Sequence, residues 1–217
     1  QFFVALHYLV LFLVTVSNSN GQVRFDRVDS VSAFINGQPL SNSWSGGINY
    51  PMINAIDLDG DTVDDLVCFD RVNNRLTCYI NDGSSNLSAW HYDPEIASRF
   101  PAINRWLLVY DYNCDGKKDL FTLSPLNPAC IACYRNDYST GLGLRFTLVD
   151  PVLEESFSTT TFPIFASGVL IPAVEDIDGD GDMDILGYNS IPDGRVILHK
   201  NESMELYGRC DSLKFSF

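Results

Sequence analysis

Short acidic segments constrain the fold of this chain more than any other feature of its sequence. The clearest runs from Asp176 to Asp184, where five aspartates alternate with small or apolar residues over nine positions. Such a run repels itself unless a cation lies at its centre. Side chains at positions 1, 3, 5 and 9 of a tight loop can converge on one point, and Gly179 and Gly181 allow the backbone to turn sharply. Oxygen-only ligands in a flexible carboxylate cage favour Ca²⁺ over Mg²⁺.

The same spacing occurs in two further segments, 57–65 and 111–119. Asparagine replaces aspartate at position 3 of the second segment, and a Leu or Ile follows each ninth position. A merely solvated acidic surface loop has no reason to repeat this spacing three times. We therefore interpret the three segments as cation-binding loops.

EF-hand loops open in the same way but require an acidic residue at position 12 and a helix after it. Position 12 is Cys68, Thr122 or Gly187 in the three segments. The residues that follow are rich in β-forming types and reach a turn within about a dozen positions. The spacing therefore excludes an EF-hand.

Each acidic segment begins a longer repeat. An apolar strand, a tight turn and a second strand follow it, and the second strand ends near an asparagine, at Asn81, Asn136 or Asn201. The ninth-position aspartate precedes that asparagine by 16, 17 and 17 residues. Inner strands are predicted to start at Pro51, Pro101 and Pro172, and outer strands at 88–92 and 144–149. The acidic segments recur after 54 and 65 residues, which suits four-stranded propeller blades.

The N-terminal region has the pattern of a targeting segment. Residues 2–16 are apolar, too few to span a membrane easily, and the polar residues 17–21 follow them. We predict a secretory signal peptide at 1–21 and no membrane span after its cleavage. An uncleaved anchor and a buried strand remain alternatives.

Other features agree with export. Glycosylation sequons begin at Asn86 and Asn201, and an exported chain can oxidise its six cysteines. We interpret the isolated Cys130-x-x-Cys133 pair as structural, because no second pair accompanies it.

The net charge argues against a nucleic-acid partner. The formal charge is −14, and 13 of the 28 acidic residues lie in the three acidic segments. Three bound Ca²⁺ would bring the charge to −8, so metal binding explains much of the acidity. No segment forms a basic patch of the kind that binds nucleic acid.

Residues 45–205 resemble FG-GAP/VCBS repeats, the calcium-loop blades of integrin α-subunit propellers and of many secreted bacterial proteins. The resemblance rests on the signature Asp-x-Asp/Asn-x-Asp-x-x-x-Asp-Leu/Ile. The segments 100–101, 111–116 and 200–205 are similar to exported bacterial surface proteins with VCBS repeats.

The resemblance implies that each loop joins two strands of a blade and binds Ca²⁺. By position, the implied side-chain ligands are Asp57, Asp59, Asp61 and Asp65; Asp111, Asn113, Asp115 and Asp119; and Asp176, Asp178, Asp180 and Asp184. The backbone carbonyls of Val63, Lys117 and Asp182 would complete the cages. We rank the third site tightest, because the first loop has Thr62 where the others have glycine and the second has fewer carboxylates and two nearby lysines.

The predicted fold is all-β, a partial β-propeller of about three four-stranded blades with Asp-rich calcium loops. The blades are expected at roughly 45–95, 96–150 and 160–210 within a repeat domain at 22–217. Closed propellers need four to eight blades. We therefore expect the remaining blades in a longer parent chain, and we expect residues 213–217 to start a further strand.

The leading functional hypothesis is a secreted or cell-surface, non-catalytic calcium-binding module for adhesion or ligand binding, with an extracellular protein or glycan as partner. The alternative is an accessory or catalytic domain of a polysaccharide-acting hydrolase. Trp44, Trp90 and Trp106 could then stack on sugars. Catalytic candidates are poor, since outside the signal segment only His91 and His199 remain, and no hydrolase motif is present.

Overall fold

The computed structural model describes residues 31–86, 89–188 and 195–216 of the 217-residue chain. The chain divides into two compact units, Gln1–Ser32 and Ala33–Phe217. Only Val31 and Ser32 of the first unit are described, so the predicted signal peptide at 1–21 lies outside the described residues. The second unit is described below.

The regular secondary structure of the second unit is mostly β-strand, as the sequence predicts. A two-stranded hairpin, β1 (Phe34–Ile35) and β2 (Gln38–Pro39), precedes three larger sheets. Its turn is formed by Asn36 and Gly37, both of which have positive φ. Helical structure in the described ranges includes a short 3₁₀ turn, Ile96–Arg99, and the five-residue helix α1, Ser203–Tyr207.

The first large sheet is a four-stranded antiparallel meander. Its strands are β3 (Pro51–Ile56), β4 (Asp65–Asp70), β5 (Arg75–Asn81) and β6 (Trp90–Asp93), paired in that order. The turn between β4 and β5 is closed by Asp70, whose Oδ1 accepts the N–H groups of Val72 and Asn73. The predicted outer strand at 88–92 is thus observed as β6.

The second large sheet repeats this arrangement. Its strands are β7 (Leu107–Tyr110), β8 (Asp119–Leu123), β9 (Ile131–Asn136) and β10 (Phe146–Asp150). The prediction that β7 starts at Pro101 is wrong. Arg105 has φ of 70°, which no strand residue adopts, and its N–H donates to Asn74 Oδ1 instead of to a strand neighbour.

The third large sheet has six strands, so the prediction of four strands in every blade is wrong. Its order is β12 (Thr160–Pro163), β11 (Glu154–Phe157), β16 (Phe215–Ser216), β15 (Val196–Asn201), β14 (Asp184–Tyr188) and β13 (Ala173–Glu175). Counted from the inner strand β13, β16 is the fourth strand of the sheet, and it pairs antiparallel with β15. The β11–β12 hairpin then pairs with the other edge of β16, with β11 parallel to it. The hairpin satisfies backbone groups that an edge strand leaves exposed.

The apolar residues form two cores between neighbouring sheets. One core joins the first and second sheets through residues such as Phe69 and Leu120, and the other joins the second and third through Phe121 and Ile185. The inner strand β7 lies beside both β3 and β13. The three sheets are therefore stacked side by side like blades, and the described strands do not close any sheet on itself.

Trp106 belongs to the second core and is fully buried. Its indole N–H donates to the carbonyl of Ser167 at 3.0 Å. A sugar cannot stack on a buried indole, so the suggestion that Trp106 is a sugar platform is wrong.

Arg71, in the turn after β4, hydrogen-bonds to the segments that precede β7 and β13. Its Nε donates to Arg105 O at 2.8 Å, and its Nη2 donates to Gly168 O at 2.6 Å. The guanidinium also lies 4.7 Å from the centre of the Tyr50 ring, a cation–π distance. A planar group with several fixed donors is suited to such a junction.

Candidate metal centres

Each acidic segment forms the connection between the innermost strand of a sheet and the next strand. The first loop, 57–65, follows β3; the second, 111–119, follows β7; and the third, 176–184, follows β13. Strands β4, β8 and β14 begin at the ninth position of their loops, where an EF-hand would continue toward a helix. The structure thus confirms that these are strand-connecting loops.

The aspartate at position 1 organises the turn in all three loops. One carboxylate oxygen accepts the N–H of position 6, at 3.0 Å for Asp57, 2.8 Å for Asp111 and 3.1 Å for Asp176. The other oxygen accepts an N–H from position 4 or 5. The backbone therefore wraps around this carboxylate before any cation is considered.

The residue at position 5 holds the second half of each loop. Its carboxylate accepts the N–H of position 7, over 2.7 Å in the first loop, 2.9 Å in the second and 3.0 Å in the third. These pairs join Asp61 to Val63, Asp115 to Lys117 and Asp180 to Asp182. The threefold repetition of these contacts shows that the spacing in the sequence encodes one loop geometry.

The ninth-position aspartates Asp65, Asp119 and Asp184 are fully buried. Each accepts one N–H from position 2 of its own loop. Each also accepts one N–H from the asparagine that ends the second strand after the loop. Those asparagines are Asn81, Asn136 and Asn201, at 2.7, 2.7 and 2.9 Å. Each of these aspartates therefore fastens its loop to the end of the second strand after it, which is β5, β9 or β15.

Burial disfavours the charged form of Asp65 and Asp119. Desolvation raises the pKa of Asp65 to about 6 and that of Asp119 to about 7, although the backbone N–H groups act in the opposite direction. A cation in the loop would favour the carboxylate form and lower these pKa values.

The structure brings three acidic side chains together in two of the loops. Carboxylate oxygens lie within 4.8 Å of one another in the first loop and in the third, and a second such group in the third loop includes a residue outside it. The three sets are Asp57, Asp59 and Asp61; Asp176, Asp178 and Asp184; and Asp178, Asp180 and Glu205.

In the second loop no such group of three is found among the described residues. Asn113 replaces a carboxylate there, and the Lys117 ammonium lies 2.7 Å from Asp115 Oδ2. The second loop therefore brings fewer acidic side chains together than the other two.

Two positions of every loop lie in the left-handed region of backbone conformation. Position 6 is Thr62 at φ of 72° in the first loop and glycine in the others, which confirms the expected strain at Thr62. Position 4 is Gly60 or Gly179 in two loops but Cys114 at φ of 56° in the second. Only the third loop has glycine at both positions, and it is the least strained of the three.

Gly60 also makes room for a side chain of the second sheet. A Cβ at Gly60 would lie 2.2 Å from the ring of Tyr138, whose hydroxyl donates to Asp59 O. Gly179 has the same loop position and φ of 80°, but no atom lies within 4 Å of the corresponding point. Tyr138 therefore packs the second sheet onto the first loop.

We expect Gly60→Ala to destabilise the protein much more than Gly179→Ala. Both changes place alanine at positive φ, which costs about 1 kcal/mol, but only Gly60→Ala forces a clash, worth roughly 1–3 kcal/mol more. Urea unfolding of both variants measures the difference. In a Tyr138→Ala background the difference should disappear. Its persistence there would show that Tyr138 is not the cause.

Further contacts join neighbouring loops. Lys118 Nζ lies 2.7 Å from Asp64 Oδ2 and donates to Ala55 O, and so connects the second loop to the first. A disulfide joins Cys114 in the second loop to Cys210, 96 residues later, and Cys114 Sγ lies 3.9 Å from Gly181 O in the third loop. The other cysteines, including both members of the Cys130-x-x-Cys133 pair, are buried and free.

The third loop is surrounded by additional charged groups. The Lys200 ammonium contacts Asp178 and Glu205 and lies 3.7 Å from Asp180 Oδ2. Hydrogen bonds to Asp178 and Glu205 raise the pKa of Lys200 above its usual value. Asp182 is buried and accepts the N–H of Met204 in α1. Burial raises the pKa of Asp182 to about 6.

Several of these functional contacts were not predicted from the sequence. The regular position of Asn81, Asn136 and Asn201 was a visible signal, but it did not reveal their bonds to the ninth aspartates. Nothing in the loop pattern pointed to Tyr138 or Glu205, because both come from segments outside the loops.

His199 occupies the same position in its repeat as Tyr79 and Tyr134. It pairs with Ile185 across the sheet, as Tyr79 pairs with Leu66 and Tyr134 with Leu120. Its Nδ1 lies 2.6 Å from Glu155 Oε2, so the pair joins β15 to β11.

The His199–Glu155 pair lines a cavity of about 790 Å³ together with Cys130, Phe162 and Tyr188. Glu154, the neighbouring acid, is exposed. A glycosidase acid–base mechanism requires two carboxyl groups facing one bond. Among the described residues that line the cavity, Glu155 is the one carboxylate, and it is paired with His199.

Comparison with known families matches residues 57–122 to the FG-GAP-like repeat. The match starts at position 1 of the first loop and ends within β8, so it includes the first two loops and strands β4 to β7 between them. No curated protein and no solved structure matched the chain. This part of the chain is therefore similar to the FG-GAP-like repeat.

Proposed function

We propose that this chain is a calcium-stabilised, non-catalytic module of a secreted or cell-surface protein, and that it serves adhesion or ligand binding. FG-GAP repeats are typical of extracellular or surface proteins and suggest a propeller-like module. Within the described residues, no helix has the length and apolar character needed to cross a membrane.

The observation that carries the proposal is the convergence of carboxylates in loops that are already folded around them. In the first and third loops, three carboxylate oxygens lie within 4.8 Å of one another. The donors are oxygens only, and hard divalent cations prefer such sets. Asp182 Oδ1 in the third loop is buried without a hydrogen-bond partner among the described residues. These residues fit Ca²⁺, which would neutralise their mutual repulsion and fix the loops.

Calcium binding is tested by titration of the full chain with Ca²⁺ in a calorimeter. We expect Asp178→Ala to remove one Ca²⁺ equivalent, and Asn113→Ala to have a smaller effect on binding and stability. Asp178 belongs to both acidic groups of the third loop, whereas Asn113 is a neutral ligand in the loop with the fewest carboxylates. Equal effects would show that the number of carboxylates does not set affinity here.

The end of the sheets opposite the loops is the candidate binding surface. Four of the described segments there present an exposed apolar or aromatic side chain, although such groups are more often buried. Tyr50 is 71% exposed, Val72 65%, Leu126 73% and Val169 83%. Loop residues held on a rigid scaffold are a common site of recognition.

Ligand binding and hydrolysis are separated by running two assays on one glycan panel and one set of extracellular matrix proteins. Binding without cleavage supports an adhesion module. Cleavage that survives Tyr50→Ala and Val72→Ser would contradict the non-catalytic proposal and favour the hydrolase alternative.

A further inference from the structure

The third loop differs from the other two because a lysine from outside the loop lies against carboxylates at its implied ligand positions. Lys200, near the end of β15, bonds to Asp178 and to Glu205 of α1, and its ammonium lies 3.7 Å from Asp180 Oδ2. Among the ion pairs recorded for the described residues, none involves Asp57, Asp59 or Asp61 of the first loop.

Two acidic groups overlap at this loop and share Asp178. One consists of Asp176, Asp178 and Asp184, and the other of Asp178, Asp180 and Glu205. The ammonium lies against the second group. A divalent cation that used Asp178 and Asp180 would therefore meet an ammonium bonded to the same carboxylates. Two cations this close repel each other.

We propose that the Lys200 ammonium competes with the divalent cation for carboxylates of the third loop. When the cation binds Asp178 and Asp180, the ammonium stays bonded to Glu205. The inference rests on the proposed function, because it concerns the same site. It assigns roles to two residues that lie outside the loop pattern. The third loop would then need a higher cation concentration for half-saturation than its carboxylates alone imply.

Glu205 is well placed for this role. It lies in the first turn of α1, and the N–H of Met204 beside it donates to Asp182 Oδ2 at 2.8 Å. The helix is therefore held against the loop, and Glu205 stays close to it while Lys200 changes partners. Of the three carboxylates that lie against the ammonium in the described part of the chain, Glu205 is the one outside the loop, so it is the partner that the displaced ammonium retains.

The test is a calorimetric titration of the full chain with Ca²⁺ alone, comparing Lys200→Met, Glu205→Gln and the double variant. We expect Lys200→Met to tighten binding at the third loop by roughly fivefold, since a partly exposed ion pair is worth a factor of this order. Glu205→Gln should weaken binding severalfold in the natural chain and have no effect when Lys200 is already methionine. Lys214→Met, which removes the same charge, is the matched control.

The readings separate this inference from the proposed function. The third loop is identified as the binding step that Asp178→Ala removes, and a natural chain without such a step contradicts the proposed function itself. If the step is present but Lys200→Met changes its Kd no more than Lys214→Met does, the proposed competition is wrong. If Glu205→Gln weakens binding equally in both backgrounds, Glu205 acts on the cation directly and its role as acceptor is wrong.

Melting curves in EGTA provide a second readout that does not require cation binding. Without Lys200, its acidic neighbours repel one another, so Lys200→Met should melt at a lower temperature than the natural chain in EGTA. The loss should shrink when Ca²⁺ is added. Lys200→Gln serves as the second variant if Lys200→Met folds poorly.

Discussion

Thermal melts in Ca²⁺ and in EGTA should differ by about 10 °C. Ligand binding stabilises the folded state by a factor that depends on the ratio of free ligand to Kd, and a tenfold excess at three sites gives ~4 kcal/mol in total. Extracellular calcium modules bind with Kd of about 10⁻⁴–10⁻³ M, so such an excess is reached near 10 mM Ca²⁺. For a domain of this size, each kcal/mol shifts Tm by roughly 2–4 °C.

The experiment needs a control for general salt effects and another for residual metal. Equal ionic strength with NaCl removes the first, since screening affects all exposed carboxylates. Mg²⁺ should stabilise less than Ca²⁺, because it requires stricter octahedral geometry. Coincident melts in Ca²⁺ and EGTA, with the EGTA sample shown to be free of metal, would remove calcium from the proposed function.

The loops were the most predictable part of this protein. Their spacing alone located the strand connections at 57, 111 and 176, because a period of two within a tight loop places alternate side chains on one side. The strands after them were equally clear, since the apolar runs that follow Asp65, Asp119 and Asp184 end at turn-forming residues. Local sequence determines both features.

The third sheet was less predictable because its extra strands depend on distant pairing. Strand β16 is only two residues long, and β11 precedes the third loop in the chain yet pairs with β16 more than 50 residues later. Such register is set by tertiary contacts, and no local pattern encodes it. Similarly, the strand expected from Pro101 was displaced by the left-handed Arg105, whose conformation follows from its contact with Asn74.

The contacts around the loops could not be predicted for the same reason. Tyr138 reaches the first loop from the second sheet, and Glu205 reaches the third loop from α1. Cys114 and Cys210 are 96 residues apart, and six cysteines allow many pairings. The sequence thus indicated a cation site in each loop, whereas the groups that modify each site depend on how the sheets stack.

The ninth-position aspartate should matter for folding even without a cation. We expect Asp119→Ala to lower the free energy of unfolding in EGTA by about 3–5 kcal/mol. The Asp119 carboxylate is buried and accepts the N–H of Tyr112 at 3.2 Å and the N–H of Asn136 at 2.7 Å. Its removal leaves two buried donors without acceptors, each at a cost of roughly 1–3 kcal/mol.

Asp111→Ala is the matched control in the same loop. Asp111 also accepts two backbone N–H groups, from Asp115 and Gly116, but those bonds are exposed, so water can replace the carboxylate. We expect this variant to lose about 1 kcal/mol in EGTA, although both variants should lose Ca²⁺ binding at the second loop. Urea unfolding in EGTA measures the two losses without any contribution from metal. Equal losses would mean that the buried bonds of the ninth aspartate stabilise the fold no more than the exposed bonds of Asp111 do, whereas a larger loss for Asp119→Ala shows that Asp119 fastens the loop to β9.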